Sequence, residues 1–198
     1  MSHFINPSII VDLHTASIIQ WKATGLEHSH QGFYQLVEEN HAYNYQLWHA
    51  EDRARRDDMG FEFVYKAKRE IDSFNQLRNN RMEAMDEWLF NALRPATPEV
   101  CPVNSESPGM IIDRLSILSL KSYHMGIQTE RDDVNEEHRA NCRNKLQTIQ
   151  IQRDQLTCCL TQLLDEVVNQ IRTFRIYHQF KMYNDPALNP QLYATKKN

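Results

Sequence analysis

Hydrophobic positions recur at helical spacing along most of this 198-residue chain. Apolar residues three and four apart mark one buried face of an amphipathic helix, whereas a half-buried strand would show strict alternation. The pattern predicts five helices, at 7–23, 33–56, 61–93, 109–127 and 139–174. The fourth of these has the clearest start, because Ser107 is a good N-cap and Pro108 suits the first helical position.

The segments between these helices carry turn and breaker residues. "GLEHSHQG" at 25–32 is a polar loop bounded by glycines, and three prolines keep "RPATPEVCPVNSES" at 94–107 from being helical. The tail at 175–198 is irregular, and we expect five of its apolar residues to pack across the bundle: Phe180, Met182, Tyr183, Leu188 and Tyr193. We therefore predict a single all-α domain over 1–198, a bundle of about five long antiparallel helices with the tail packed on it.

Composition supports this class and excludes several others. The chain has only five glycines and lacks the alternating β-branched runs that a sandwich, barrel or doubly wound sheet would need. Its net charge of −4 argues against nucleic-acid binding, and no apolar run reaches the roughly 18–20 residues of a membrane span. There is no signal-peptide pattern at the N-terminus and no CxxC pair among the four cysteines, so we predict a cytoplasmic protein with reduced thiols.

Polar residues interrupt the apolar face of the third predicted helix. Placed about 100° apart, its apolar residues share an arc of roughly 80°; they are Val64, Ala67, Ile71, Phe74, Met82, Met85, Leu89 and Ala92. Arg78 falls in the middle of this arc and Asn75 at its edge. A guanidinium cannot be deprotonated there, so its donors must find partners.

The second predicted helix repeats this anomaly. Asn40, Asn44 and Glu51 lie inside its apolar arc, with Arg55 near the end. Plain packing does not select such residues for a core-facing stripe.

The fourth predicted helix carries Asp113, Arg114, Lys121 and His124 on one arc of roughly 100°. One interpretation is an ordinary solvent-facing side. The apolar residue Ile117 lies within the same arc, which argues against a purely solvent-facing side.

Two interpretations of these three helices stay open. In the first, a structural network fixes the register of the bundle, with Glu51 paired to Arg78 and the asparagines completing the hydrogen bonds. In the second, a pocket binds a small anionic ligand. Its ligand-binding residues would be Asn40, Asn44, Asn75, Arg78, Arg114 and Lys121, while Glu51 and Asp113 would orient the ligand or move protons.

Other motifs do not change this picture. Glu38-x-x-His41 has the spacing of di-metal bundles, but both residues lie off the apolar arc and no second helical copy exists. The chain has no zinc signature, phosphate-binding loop, Rossmann fingerprint or nucleophile elbow. We therefore expect no metal and no cofactor.

Four separated blocks, taken together, resemble the bacterial family called domain of unknown function 4254. They are "NYQLWHAEDRARR", "REIDSFNQLRNNRMEAMDEWL", "SESPGMIIDRLSILSLKSYHM" and "FKMYNDPALNPQLY". The resemblance runs from about Ile18 to Tyr193 and implies an all-helical protein with no established reaction. The recurrent polar positions of the family would fall on Trp48, His49, Glu51, Asp52, Asn75, Arg78, Asn79, Asp86, Asp113, Arg114 and Lys121.

The genes of some members of this family lie beside genes for cell-surface glycan assembly. This position implies the pathway in which the protein acts, but not its activity there. We therefore expect binding, with or without conversion, of a sugar phosphate or nucleotide sugar. One alternative is a non-catalytic adaptor whose protein partner belongs to glycan assembly, docking through the charged run at 49–58 and the aromatic tail. A fainter similarity to helical chorismate mutases gives a second alternative, an enzyme that holds a dianionic substrate inside a bundle. The sequence does not determine the oligomeric state.

Overall fold

A computed structural model describes residues 5–180, 182 and 185–194. These residues form five long helices and one short helix, with no strand among them. The helices are α1 (Pro7–Thr24), α2 (Phe33–Arg53), α3 (Phe61–Leu93), α4 (Pro108–Thr129), α5 (Glu136–Val168) and α6 (Pro190–Tyr193). The prediction of an all-α bundle of about five helices is confirmed.

The bundle consists of two helical hairpins with α1 packed beside them. A short turn that ends at Gly60, in the left-handed region at φ 86°, joins α2 to α3. Helix α4 pairs with α5 and also packs against α1, α2 and α3. The main core is formed by residues such as Ile10, Val37, Met85, Leu89, Ile112, Leu115 and Leu160. Helix α4 is therefore the central helix, with a different neighbour on each side.

The start of α4 is fixed closely against α3. The Ser107 side chain accepts a hydrogen bond from the backbone N–H of Met110, as its cap position predicts. The backbone N–H of Gly109 donates to Asp86 Oδ1 of α3 at 2.7 Å, which places a carboxylate at the positive end of the helix dipole. A Cβ at position 109 would lie 2.6 Å from the carbonyl oxygen of Met82, so this close approach requires glycine.

The bounds of two helices, α5 and α2, differ from the prediction by three residues or more. Helix α5 spans Glu136–Val168 instead of 139–174. It begins earlier because Asn135 caps it through His138 N–H, and it ends earlier because Gln170 is left-handed at φ 58°. Ile171, which falls inside the predicted helix, lies beyond the actual helix end and is exposed. Helix α2 ends at Arg53 rather than 56, since the next residues already turn the chain towards α3.

The tail contacts the bundle through polar groups. The backbone N–H of Gln179 donates to Glu83 on α3 at 2.9 Å, and His178 Nδ1 lies 2.9 Å from the same carboxylate. The expected apolar packing is wrong for four side chains, which are exposed: Phe180, Met182, Leu188 and Tyr193. Tyr183 lies outside the described residues.

Candidate functional site

A hydrogen-bonded layer lies between α2 and α4, and we call it the sealed network: Asn40, His41, Asn44, Asp113 and Ser116. All five side chains are buried. Asp113 Oδ1 accepts hydrogen bonds from Asn40 Nδ2 at 3.1 Å and from Asn44 Nδ2 at 2.9 Å. Asn44 Nδ2 also donates to Ser116 Oγ at 3.0 Å.

The donor direction of the network can be deduced from its ends. His41 Nε2 lies 2.9 Å from the carbonyl oxygen of His14, which can only accept, so Nε2 carries the proton. His41 Nδ1 must then accept from the Ser116 hydroxyl at 2.7 Å, while that hydroxyl accepts from Asn44. Each ring nitrogen of His41 is thereby satisfied in the neutral form. Burial lowers the pKa of His41 to about 3, which agrees with this assignment.

Arg78 of α3 connects the sealed network to solvent. Its Nε donates to Asp113 Oδ1 at 2.7 Å, and its Nη2 donates to Asp113 Oδ2. These hydrogen bonds raise the pKa of Arg78 above its ordinary value. The third guanidinium nitrogen, Nη1, has no hydrogen-bond partner within the described part of the chain. One edge of the guanidinium is therefore fixed by Asp113, and the rest remains available.

An open cleft of about 380 Å³ lies between α2, α3 and α4 on the outer side of Arg78. We call it the α2–α3–α4 cleft, and it is lined by Asn44, Leu47, Trp48, Glu51, Asp52, Arg55, Asn75, Arg78, Ile117 and Leu120. Glu51 accepts a hydrogen bond at 2.7 Å from Arg55, which lies two residues beyond the end of α2. The cleft thus combines an aromatic wall with carboxylate, amide and guanidinium groups.

Trp48 is held in place by a histidine of α4. Its indole stacks on the His124 ring with centroids 4.5 Å apart and 6° between the ring planes. Burial, and then the nearby charge of Lys22, lower the pKa of His124, so this ring is neutral at pH 7. The orientation of the aromatic wall is therefore fixed before any ligand binds.

The structure brings together some of the predicted site residues. Asn44, Glu51, Asn75 and Arg78 line the cleft. Asn40 and Asp113 lie behind it in the sealed network. Arg78 pairs with Asp113, so the expected Glu51–Arg78 ion pair is wrong; Glu51 pairs with Arg55 at the mouth of the cleft.

Arg114 and Lys121 face a different cleft, between α4 and α5, which also contains Gln152, Gln155 and Cys159. Arg114 donates to both oxygens of Glu106 at 2.6–2.7 Å. The expected clamp of Arg78, Arg114 and Lys121 on one ligand is therefore not formed. An arc of roughly 100° on a helix is wide enough to span two grooves, and Ile117 lines both clefts as the ridge between them.

Sequence reasoning missed part of the buried polar layer. Glu38 and His41 were placed off the apolar arc, yet both are buried, and Ser116 was not considered. The Glu38 carboxylate accepts the backbone N–H groups of Ser29 and His30 at 3.0 Å, so it fixes the loop before α2. Helix α2 contacts α1, α3 and α4, which makes its buried face wider than its apolar stripe.

Taken as a class, the protein is an all-α bundle in which a sealed polar network supports one wall of an open polar cleft. The chain belongs to the family described as "Protein of unknown function (DUF4254)", which matches residues 34–176. This match confirms the resemblance of the sequence blocks, and its range contains both the sealed network and the cleft. No curated protein and no solved structure matches the chain.

No helix within the described ranges, 5–180, 182 and 185–194, is long and apolar enough to cross a bilayer. No group of three or more His, Cys, Asp or Glu side chains in these ranges is placed to hold a metal ion.

Proposed function

We propose that the α2–α3–α4 cleft binds a small anionic metabolite that carries both a phosphate and a polyhydroxylated ring, such as a sugar phosphate or nucleotide sugar. The observation that carries this proposal is the position of Arg78. Its guanidinium is charged, is fixed on one edge by Asp113 and lines an open cleft beside Trp48. A fixed guanidinium fork suits phosphate oxygens.

The other lining groups favour a ligand with hydroxyls as well as an anion. Glu51, Asp52 and Asn75 offer hydrogen-bond acceptors and an amide, which suit sugar hydroxyls. The flat indole of Trp48 offers a stacking surface for a sugar or a base. The volume of about 380 Å³ is in the range of small-molecule sites.

We propose different roles for the two carboxylates expected to act on a ligand, Glu51 and Asp113. Glu51 would contact the ligand directly, and it is the group in position to move a proton if the ligand is converted. Asp113 would act as a positioning residue, because it reaches the cleft only through Arg78. The place of the ligand in cell-surface glycan assembly rests on the family resemblance alone.

Isothermal titration calorimetry with a ligand panel tests the proposal. The panel contains UDP-sugars, hexose 1-phosphates, the neutral hexose and chorismate. We expect wild type to bind a phosphorylated member and not the neutral sugar. Trp48→Leu should weaken this binding about fivefold or more, since stacking on an aromatic side chain is worth about 1–3 kcal/mol. Lys121→Met is the matched control, because it removes an exposed charge of α4 outside the cleft.

Two results would contradict the proposal: no binding of any phosphorylated panel member, or equal affinities for wild type and Trp48→Leu. Conversion of chorismate to prephenate would instead support the second alternative, a bundle enzyme for a dianionic substrate.

The exposed tail favours a second candidate, the adaptor. Phe180 is 80% exposed and Leu188 is 51% exposed, and exposed apolar surface is one mark of a protein-interaction site. This candidate predicts that Phe180→Ser with Leu188→Ser leaves the melting temperature and ligand binding unchanged but prevents co-purification with glycan-assembly enzymes. Unchanged co-purification would exclude docking through the tail.

A further inference from the structure

The opposite side of α4 carries a second groove, formed with α1 and α5. It has a volume of about 450 Å³, and its polar lining residues include Thr15, Ser119, Ser122, Tyr123, Gln150 and Arg153. We call it the α1–α4–α5 groove. It shares no lining residue with the α2–α3–α4 cleft.

Arg153 of α5 is half-buried in this groove without an anionic partner. Its buried Nε has no hydrogen-bond partner, and its guanidinium forms no ion pair within the described ranges. Other half-buried arginines do have carboxylate partners: Arg78 pairs with Asp113 and Arg139 with Glu136. Glu130 also lines the groove but forms no ion pair with Arg153. A half-buried cation without a counter-charge is unfavourable for stability.

Ser119 supplies a second unpaired group in the same groove. Its side chain is only 2% exposed, and its Oγ has no hydrogen-bond partner among the described residues. Native proteins leave few buried polar atoms unpaired, because each costs free energy of folding. An unpaired hydroxyl and an unpaired guanidinium that line one groove therefore point to a ligand that bonds to both.

His14 of α1, close to Arg153, is a further buried polar side chain without a hydrogen-bond partner. It is fully buried, and neither ring nitrogen has a hydrogen-bond partner in the described structure. Burial lowers its pKa well below the ordinary value, and the neighbouring His41 and the charge of Arg153 lower it further. The guanidinium of Arg153 therefore lies near enough to His14 to act on it electrostatically.

We propose that the α1–α4–α5 groove binds the oxyanion group of a small metabolite, with the Arg153 guanidinium and the Ser119 hydroxyl as its donors. The planar guanidinium presents parallel N–H groups that match two oxygens of a carboxylate or phosphate. The hydroxyl adds a donor from a second helix. Ser122 and Gln150 provide neutral hydrogen-bonding groups for the rest of the ligand. This site is independent of the function proposed for the α2–α3–α4 cleft.

The test titrates the full-length protein with inorganic phosphate and, separately, with succinate, at an ionic strength held constant with sodium chloride. The Nε–Hε cross-peak of Arg153 in a ¹H–¹⁵N spectrum, assigned by its loss in Arg153→Met, reports the location of binding. We expect a saturable shift of this peak. A response to phosphate alone assigns a phosphoryl ligand, and a response to succinate alone assigns a carboxylate ligand.

Calorimetry of the variants completes the test. Arg153→Met and Ser119→Ala should each weaken binding of the responding anion, by about tenfold or more for Arg153→Met, since it removes charged hydrogen bonds. Lys145→Met, an exposed charge of α5 outside the groove, should leave the Kd unchanged. Ser119→Ala removes one oxygen, so it keeps the test valid if Arg153→Met fails to fold. The proposal is overturned if neither anion shifts the Arg153 peak saturably, or if the affinities of Ser119→Ala and Arg153→Met equal that of wild type.

Discussion

Ser116 and Ser119 lie about one turn apart on α4, and both are buried, but their surroundings differ completely. Ser116 accepts a hydrogen bond from Asn44 and donates one to His41. Ser119 has no hydrogen-bond partner in the described structure. The histidines repeat the contrast, because His41 forms hydrogen bonds with both ring nitrogens while the neighbouring His14, whose ring centroid lies 4.5 Å away, forms none with either.

This difference shows that burial alone does not identify the role of a polar residue. In the sealed network, on the side of α4 that faces α2, each buried side chain is hydrogen-bonded to another, so this layer acts as a framework that holds Arg78. On the side that faces α1 and α5, groups are buried without partners, which is unfavourable for stability and typical of sites that bind a ligand. Substitutions on the side that faces α2 should therefore reduce the free energy of unfolding much more than substitutions on the side that faces α1 and α5.

The largest expected effect is that of Asp113→Asn. This change leaves the Arg78 guanidinium without its counter-charge behind the cleft, and breaking a buried ion pair typically costs about 3–5 kcal/mol. We expect a loss of this size in the free energy of unfolding, measured by urea denaturation.

Glu106→Gln is the matched control for this prediction. It also removes the carboxylate partner of an arginine, Arg114, but both side chains of that pair are exposed. Exposed ion pairs contribute at most about 1 kcal/mol. Equal losses for Asp113→Asn and Glu106→Gln would mean that the sealed network does not carry the stability assigned to it.

The next largest effect compares the same substitution at the two histidines. His41→Phe leaves the Ser116 hydroxyl and the His14 carbonyl without their partner, and each orphaned buried group costs about 1–3 kcal/mol. We expect a loss of about 2–4 kcal/mol in unfolding free energy. His14→Phe breaks no side-chain hydrogen bond in the described structure, so its effect should stay within about 1 kcal/mol. A larger loss for His14→Phe than for His41→Phe would reverse the comparison.

The sequence predicted the helices and their buried polar residues better than it predicted which of these residues pair with each other. The helical period and the Ser107–Pro108 start placed four helices closely, and the interruption of apolar arcs identified Arg78, Asn40 and Asn44. A helical wheel gives the angle of a residue around its own axis, but not its height relative to another helix. Both Glu51 and Asp113 were therefore available as partners for Arg78, and only the register of α3 against α4 selects Asp113.

The same limit explains the other misplacements. Arg114 and Lys121 share an arc with Asp113, but that arc borders two neighbours of α4. The tail has apolar residues without a helical period, so nothing in its sequence specified a surface to pack on. Ser119 and Arg153 lack hydrogen-bond partners in the described structure because α1, α4 and α5 place none beside them. The sequence of a single helix does not reveal such a lack.

Stability should fall as the pH drops below about 6.5, because two buried histidines resist protonation. The folded-state pKa of His41 is about 3, and that of His14 is also well below its ordinary value. Below pH 6.5 the unfolded chain binds protons that the folded chain does not. Each histidine therefore contributes a loss of up to about 1.4 kcal/mol per pH unit.

Asp86 opposes this trend. Burial raises its pKa to about 6, so the folded state binds a proton more tightly than the unfolded state between about pH 6 and 4, which adds stability on acidification. Asp86→Asn should consequently steepen the loss between pH 6.5 and 5, and His14→Phe should reduce it. Urea denaturation at several pH values measures these slopes. Identical slopes for wild type and His14→Phe would show that His14 is not held neutral.

The smallest effect concerns the two serines with which the comparison began. Ser116→Ala removes one hydroxyl that joins two buried partners and should cost about 1–3 kcal/mol, because it leaves the buried Nδ1 of His41 without its donor. Ser119→Ala removes a hydroxyl of the same size that bonds to nothing in the described structure, so it should leave unfolding free energy within about 0.5 kcal/mol of wild type.

Both measurements belong in chloride buffer, without phosphate or carboxylates. If a saturating oxyanion then raises the unfolding free energy of wild type and Ser116→Ala but raises that of Ser119→Ala less, the hydroxyl is paired by a ligand instead of by the chain. If Ser119→Ala destabilises as much as Ser116→Ala in chloride alone, the two sides of α4 are equivalent and the contrast between framework and site fails.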